Sequence, residues 1–145
     1  MPDFSGAEDV LYGTVKRVLD TLPEKIPVYW PGKDASVEPD ANQPYIVVVN
    51  NPVTNMPETL GRQAIWRSEG NLLIRIIIKE SIGEYEKWRD RAQQLTRAFQ
   101  GRAQGDGVYV MDVRRSSTNV LSGRYSIDVL VTYYFRDSTN VRRGA

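Results

Sequence analysis

The chain of 145 residues contains neither cysteine nor histidine. Without cysteine there is no disulfide framework, thiol nucleophile, iron–sulfur cluster or thiolate zinc site. Without histidine there is no Ser-His-Asp triad and no imidazole-ligated metal. The chemistry left open rests on carboxylates, as a general acid/base pair or a magnesium site, and on lysine or tyrosine. Long apolar runs are missing too. Tyr45 to Val49, and Leu72 to Ile74 with Ile76 to Ile78 beyond Arg75, fall far short of the about 20 residues that cross a bilayer. Met1 to Ser5 lack the basic start and apolar stretch of a secretory signal, so the expectation is a chain that folds where it is made.

The usual phosphate and nuclease motifs fail on inspection. Gly32-Lys33 is followed by Asp34, without the upstream glycine of a phosphate loop. Gly101 to Gly107 holds three glycines, but they are out of the dinucleotide-binding order and follow a helix pattern where that motif follows a strand. Pro39-Asp40 could open a magnesium-nuclease arrangement, yet Lys79 has Ile77 where that arrangement needs an acid. Asp112 and Asp128 could face each other across adjacent strands, and among so many arginines they read as paired surface charge. The expectation is a protein that is not an enzyme and uses no cofactor, metal or membrane.

What is present is the composition of one soluble domain: 41% hydrophobic and 26% charged residues. A chain of this size can bury about two-thirds of its unfolded surface in a single core. The formal net charge of +1 conceals an asymmetry. Residues 1–61 hold four basic and nine acidic groups, a net −5, and residues 62–145 hold fifteen basic and nine acidic, a net +6. Opposite charge on the two halves suits a polyanion partner or an acidic face of one copy against a basic face of the next. Arginines outnumber lysines fourteen to five, and the planar, weakly hydrated guanidinium is the cation favoured at interfaces.

Hydrophobic periodicity orders the chain as helix, strands, helix, strands. Ser5-Gly6-Ala7-Glu8 has the form of a capping box, and Leu11, Val15, Val18 and Leu22 lay one apolar stripe along a helix ending near Pro23. Ile26 to Trp30 reads as a brief strand, and 31–44 as a loop. Tyr45 to Val49, apolar at every position, suits a mid-sheet strand. Asn50 to Gly61 reads as a long connecting loop because of its prolines and asparagines. Gln63 to Ser68 and Leu72 to Lys79 read as a hairpin turning at Gly70.

Ser81-Ile82-Gly83-Glu84 repeats the capping-box form, and Tyr85, Trp88, Ala92, Leu95 and Phe99 follow as one buried stripe, with Gly101 placed to end the helix at a positive backbone angle. Val108 to Val113 reads as a strand and Arg114 to Gly123 as a projecting polar hairpin. Arg124 to Phe135 alternates cleanly as a last strand, and 137–145 reads as a frayed tail. The fold class expected is α+β, an antiparallel or mixed sheet of four to six strands packed with two helices, in a single domain 1–145.

Arg67-Ser68-Glu69-Gly70-Asn71-Leu72-Leu73-Ile74, Ile82-Gly83-Glu84, the helix with Ala92, Leu95 and Phe99-Gln100-Gly101, and Arg124 to Val129 together resemble the tail terminator proteins of long-tailed phages, over about residues 44–136. The resemblance lies in size, apolar pattern and a few glycines. It implies a structural protein of the virion that forms a homo-oligomeric ring, usually of six copies, on the head-proximal end of the tail tube. Such a ring stops tube polymerisation and offers a surface to a head-completion or neck protein, with DNA only as cargo passing through the lumen. Assembly would take place in the host cytoplasm. Another head–tail joining protein, or an Arg-rich nucleic-acid-binding module, is the alternative. The candidate assembly interface is Arg114, Arg115, Ser117, Asn119 and Arg124 of the projecting hairpin, with Asn51, Asn55 and Arg62 of the preceding long loop.

Overall fold

The computed structural model describes residues 4–23, 25–30, 43–57, 63–79, 84–101, 103–105, 107–120 and 123–140. The elements run α1 (Phe4–Asp20), β1 (Val28–Tyr29), β2 (Tyr45–Pro57), β3 (Gln63–Lys79), α2 (Tyr85–Phe99), β4 (Ala103–Gly105), β5 (Val108–Val120) and β6 (Arg124–Asn140). The strands form one sheet in the order β1-β2-β3-β6-β5-β4. Among the described residues only β1 and β2 pair parallel, so the sheet is mixed and the fold is α+β.

Strand alternation splits the sheet into two faces. On one, Ile46 and Val48 of β2, Leu72, Ile74, Ile76 and Ile78 of β3, and Ile127, Val129 and Val131 of β6 are fully or almost fully buried. Alternation of β-branched and other large apolar residues fits them to a pleated surface that is covered on this side. The cover is the apolar stripe of each helix: Ala7, Leu11 and Val15 from α1, and Trp88, Ala92, Leu95 and Phe99 from α2. Among the described residues the other face carries no helix.

Several expectations are corrected. Asn50 to Pro57 is not a loop: β2 continues through it, paired with β3 from Asn50↔Leu72 to Pro57↔Trp66, with a bulge between Pro52 and Thr54 that absorbs the irregularity. Residues 58–62 lie outside the described residues. No hairpin turns at Gly70 either, because β3 runs unbroken from Gln63 to Lys79. Gly70 is there for space. A Cβ on it would sit 2.5 Å from the Tyr133 hydroxyl oxygen, whose ring crosses over β3 and whose hydroxyl donates to Asn50 Oδ1 at 2.6 Å.

β2 is not mid-sheet: β1 covers it only at Ile46 and Val47, and the central strands are β3 and β6. Arg114 to Val120 belongs to β5, so the polar segment is strand up to Val120; residues 121 and 122 lie outside the described residues, and Gly123 has φ 70°. The start of β6 is level with the end of β3, since Lys79 pairs with Arg124. Residues 137–140 are not frayed but the end of β6, paired with 63–66 of β3; 141–145 lie outside the described residues.

Both capping boxes are displaced. α1 begins at Phe4, ahead of Ser5, and the Glu8 carboxylate accepts from Asn50 Nδ2 at 2.8 Å. Glu84 is the residue before α2 and makes no side-chain cap; its carboxylate accepts from Trp88 Nε1 at 3.1 Å, and Ser81 lies outside the described residues. In each case a tertiary or side-chain donor took the glutamate that the local motif would have used. The helix end at Gln100 is right-handed, and the positive backbone angles fall at Gly105, Gly107 and Gly123, not at Gly101. Tyr85, at the first turn of α2, is 40% exposed and not core.

Candidate assembly interface

Strand register gathers on the helix-free face residues that are far apart in the chain. Opposed residues share a face, so Val49, Leu73, Leu130 and Arg114 form one row across β2, β3, β6 and β5, and Val47, Arg75, Asp128 and Ser116 the next. Asn51, Asn71, Thr132 and Asp112 form a third, with Thr132 Oγ1 donating to Asn71 Oδ1 at 3.0 Å. The register opposes Asp112 to Thr132 and Asp128 to Ser116, so the two aspartates do not meet.

Three arginines of this face pair with its own carboxylates. Arg75 makes a two-pronged contact with Asp128, 3.0 Å from Nε to Oδ1 and 3.2 Å from Nη2 to Oδ2, and that bond raises the Arg75 pKa further. Arg67 bonds Glu69 at 2.9 Å, and Arg114 bonds Asp112 at 2.6 Å. Asp128 is nearly buried, which makes its pair the most consequential of the three; the Arg114 pair is exposed and contributes little.

At one end of this face is a cluster absent from the sequence-based list. Tyr109 and Tyr134 stack at 5.4 Å between ring centroids. The Arg67 guanidinium lies over the Tyr134 ring at 4.1 Å and that of Arg136 at 5.2 Å. Arg67 Nη2 also reaches Met111 Sδ at 3.4 Å. Tyr109 is 39% exposed, and Met111 and Met56 are each 47% exposed. Exposed tyrosine and methionine beside arginine is the composition enriched at protein–protein contacts. The Tyr133-Tyr134 pair and the alternation of β6 are the signals that would have placed Tyr134 outward, but its neighbours depend on register between distant strands.

The residues chosen from sequence do not form one patch. Arg114, Arg115 and Ser117 are exposed on β5, Asn119 is on the same strand opposite Tyr125, and Arg124 begins β6 with Nη1 3.5 Å from the Tyr45 hydroxyl. Arg115 and Ser117 belong to the helix side: Arg115 Nη1 donates to Gln93 Oε1 at 2.6 Å, and the Ser117 and Tyr85 hydroxyls are 3.0 Å apart. Asn51 and Asn55 are exposed on β2, with Asn55 Oδ1 accepting from Ser68 at 3.0 Å. β3 and β6 separate the β5 residues from Asn51 and Asn55, a gap of about 14 Å at the usual strand spacing. Arg62 lies outside the described residues.

Tyr12 is pushed up to about 12, by burial first and then by Glu8, Tyr133 and Asp9. Burial also raises Tyr133. A cleft of about 390 Å³ between α1 and β4 is lined by Gly6, Asp9, Gly13, Arg17 and Gln104, without a convergent set of reactive groups. Among the described residues no group of three acidic side chains is placed to hold a metal, and no helix is long and apolar enough to cross a membrane.

No family model matches the chain, and no curated protein matches it. Among 26 matching chains of solved structures, one, a protein carrying only a reference number for a name, is 15% identical. The match covers 88% of this chain and 94% of that one with a TM-score of 0.58. A likeness at that identity is one of fold: a mixed six-stranded sheet backed on one face by two helices.

Proposed function

We propose that the chain is a structural assembly protein of the tail terminator kind, a subunit that forms a ring on the end of a phage tail tube. The observation that carries the reading is the helix-free face with its Tyr109, Met111 and Tyr134 cluster, which has the side chains of a protein contact and no reactive constellation. The resemblance supplies the particular role. Its helix ending near Phe99 and its last long strand have counterparts in α2 and β6, whereas the glycine-turn hairpin expected to run into that helix is replaced by the continuous strand β3.

The nucleic-acid alternative is less well supported. Arg67, Arg75 and Arg114 each face a carboxylate of the same sheet face, and phosphate binding draws on cations that are not already neutralised. Tyr134 is flanked by two guanidiniums and Tyr109, which occupy the ring face that a base would stack on. The direct test adds purified chain to polymerising tail tube protein from the same phage. Tubes held at uniform length, with the chain on one end by electron microscopy, are the expected result. Unchanged tube lengths, together with retardation of DNA in a gel, would favour the alternative.

A further inference from the structure

Among the described residues, the short outer strands β1 and β4 leave most of the outer edges of β2 and β5 open, over windows that match. β1 pairs with β2 only at Ile46 and Val47, and β4 pairs with β5 only at Val108 and Tyr109. Among the described residues nothing then pairs with the outer edge of β2 over residues 49–57 or of β5 over residues 110–120. These are windows of nine and eleven residues. Each bears one bulge, at Pro52/Thr54 and at Val110/Asp112.

Strand direction is complementary as well. β2, β3, β6 and β5 alternate in direction, so β5 of one copy beside β2 of a second copy in the same orientation continues the antiparallel alternation. In that arrangement β4 and β1 sit at opposite ends of the joint and neither blocks it. The amide of Ile46 donates outward to Pro27 at 2.9 Å, which places the amides of Val48 and Asn50 on the same outward side. Pro52 also falls there, so its missing N–H costs no bond to β3 and still leaves an outward carbonyl.

We infer that copies of this chain join edge to edge, β5 of one pairing antiparallel with β2 of the next, so that the sheet runs continuously from subunit to subunit. The inference rests on the reading of the chain as a ring subunit and names the joint. It uses main-chain hydrogen bonding, the general mode by which an open edge accepts a strand. Because the two edges differ, the contact is head-to-tail, as a closed ring requires. In this arrangement Arg114, Arg115, Ser117 and Asn119 lie on one half of the joint and Asn51 and Asn55 on the other.

Face parity gives a strict test. Opposed residues must share a face, so Asn51, on the helix-free face, can oppose Ser116 or Thr118 but not Ser117, which faces the helices. The chain has no native cysteine. Double variants N51C/S116C, N51C/T118C and N51C/S117C are treated with a short bismaleimide after thermal melting shows that each folds. The mass of unmodified protein is followed in parallel by light scattering. One of the first two variants should give a ladder of linked species ending at the ring's copy number, at least tenfold more than N51C/S117C, and single variants should give none. Rings seen by light scattering without a ladder from either pair would overturn the joint and leave the ring reading standing. Homodimers from single variants would overturn it in favour of a symmetric contact. A wild-type chain that stays monomeric, alone and with tube ends, would overturn both.

Discussion

The two faces of this one sheet obey different rules. On the helix side, stability comes from burial: Ile74, Ile76, Ile127 and Val129 make a continuous apolar surface under α2, and no charge enters it. On the other side the same strands carry Arg75–Asp128, Arg67–Glu69 and Arg114–Asp112 at neighbouring positions, with Leu73, Leu130 and Val49 half-buried between them. A face with internally paired charges and exposed tyrosine and methionine costs the monomer little and suits a partner surface. The core face makes the fold, and the helix-free face and the edges are where the proposed assembly would act.

Substitutions should separate the two faces clearly, the largest effect coming from the core. Phe99→Ala removes a fully buried ring from the helix–sheet joint and should cost about 3–5 kcal/mol in denaturant unfolding. Tyr85→Ala on the same helical stripe should cost under about 1 kcal/mol, because that ring is 40% exposed. Gly70→Ala forces its new methyl against the Tyr133 ring, which is fully buried and bonded to Asn50, and should cost about 1–3 kcal/mol. A cost near zero would mean that the ring can move and that the glycine serves something else.

Gly13 offers the opposite sign. It lies inside α1, and a Cβ there meets nothing within 4 Å, so Gly13→Ala should raise the melting temperature through about 0.5–1 kcal/mol of helix stabilisation. Smaller still, Tyr109→Ala with Met111→Ala should change the monomer's stability by no more than about 0.5 kcal/mol, since both are exposed. The same double variant should impair self-association, and unaltered assembly would remove this cluster from the interface.

The last effect is visible only in alkali. Tyr12 holds its proton up to about pH 12 in the folded chain, against an ordinary value of 10.0. The folded state therefore binds the proton more tightly than the unfolded state. The associated stability is fully present below pH 10 and is lost as pH rises from 10 through about 12. Tyr12→Phe should unfold with a flatter pH dependence across that window than wild type, and identical slopes would show that Tyr12 is not shielded.

The helices were legible because an amphipathic stripe is a local signal: Leu11, Val15, Trp88, Ala92, Leu95 and Phe99 are buried as their spacing requires. β6 was legible for the same reason, its alternation splitting Ile127 and Val129 from Thr132 and Tyr134. Glycine and proline misled the reading of β2 and β3. Their turn signals are local statistics, and here Gly70 answers a ring from another strand, while Pro52 sits on an open edge where a missing donor is tolerated. The Tyr109, Tyr134 and Arg67 cluster could not be read at all without register. Its members come from β5, β6 and β3, and nothing in the sequence around any one of them points to the others.

Mass against concentration, measured by light scattering on the purified chain alone and then with tail tube ends added, bears most directly on whether this is an assembly subunit. The expected result is a species of several times 16.5 kDa, about six copies in the reading favoured here, that strengthens with concentration or on the tube end. A mass that stays at 16.5 kDa through the millimolar range, with tube ends present, would contradict it.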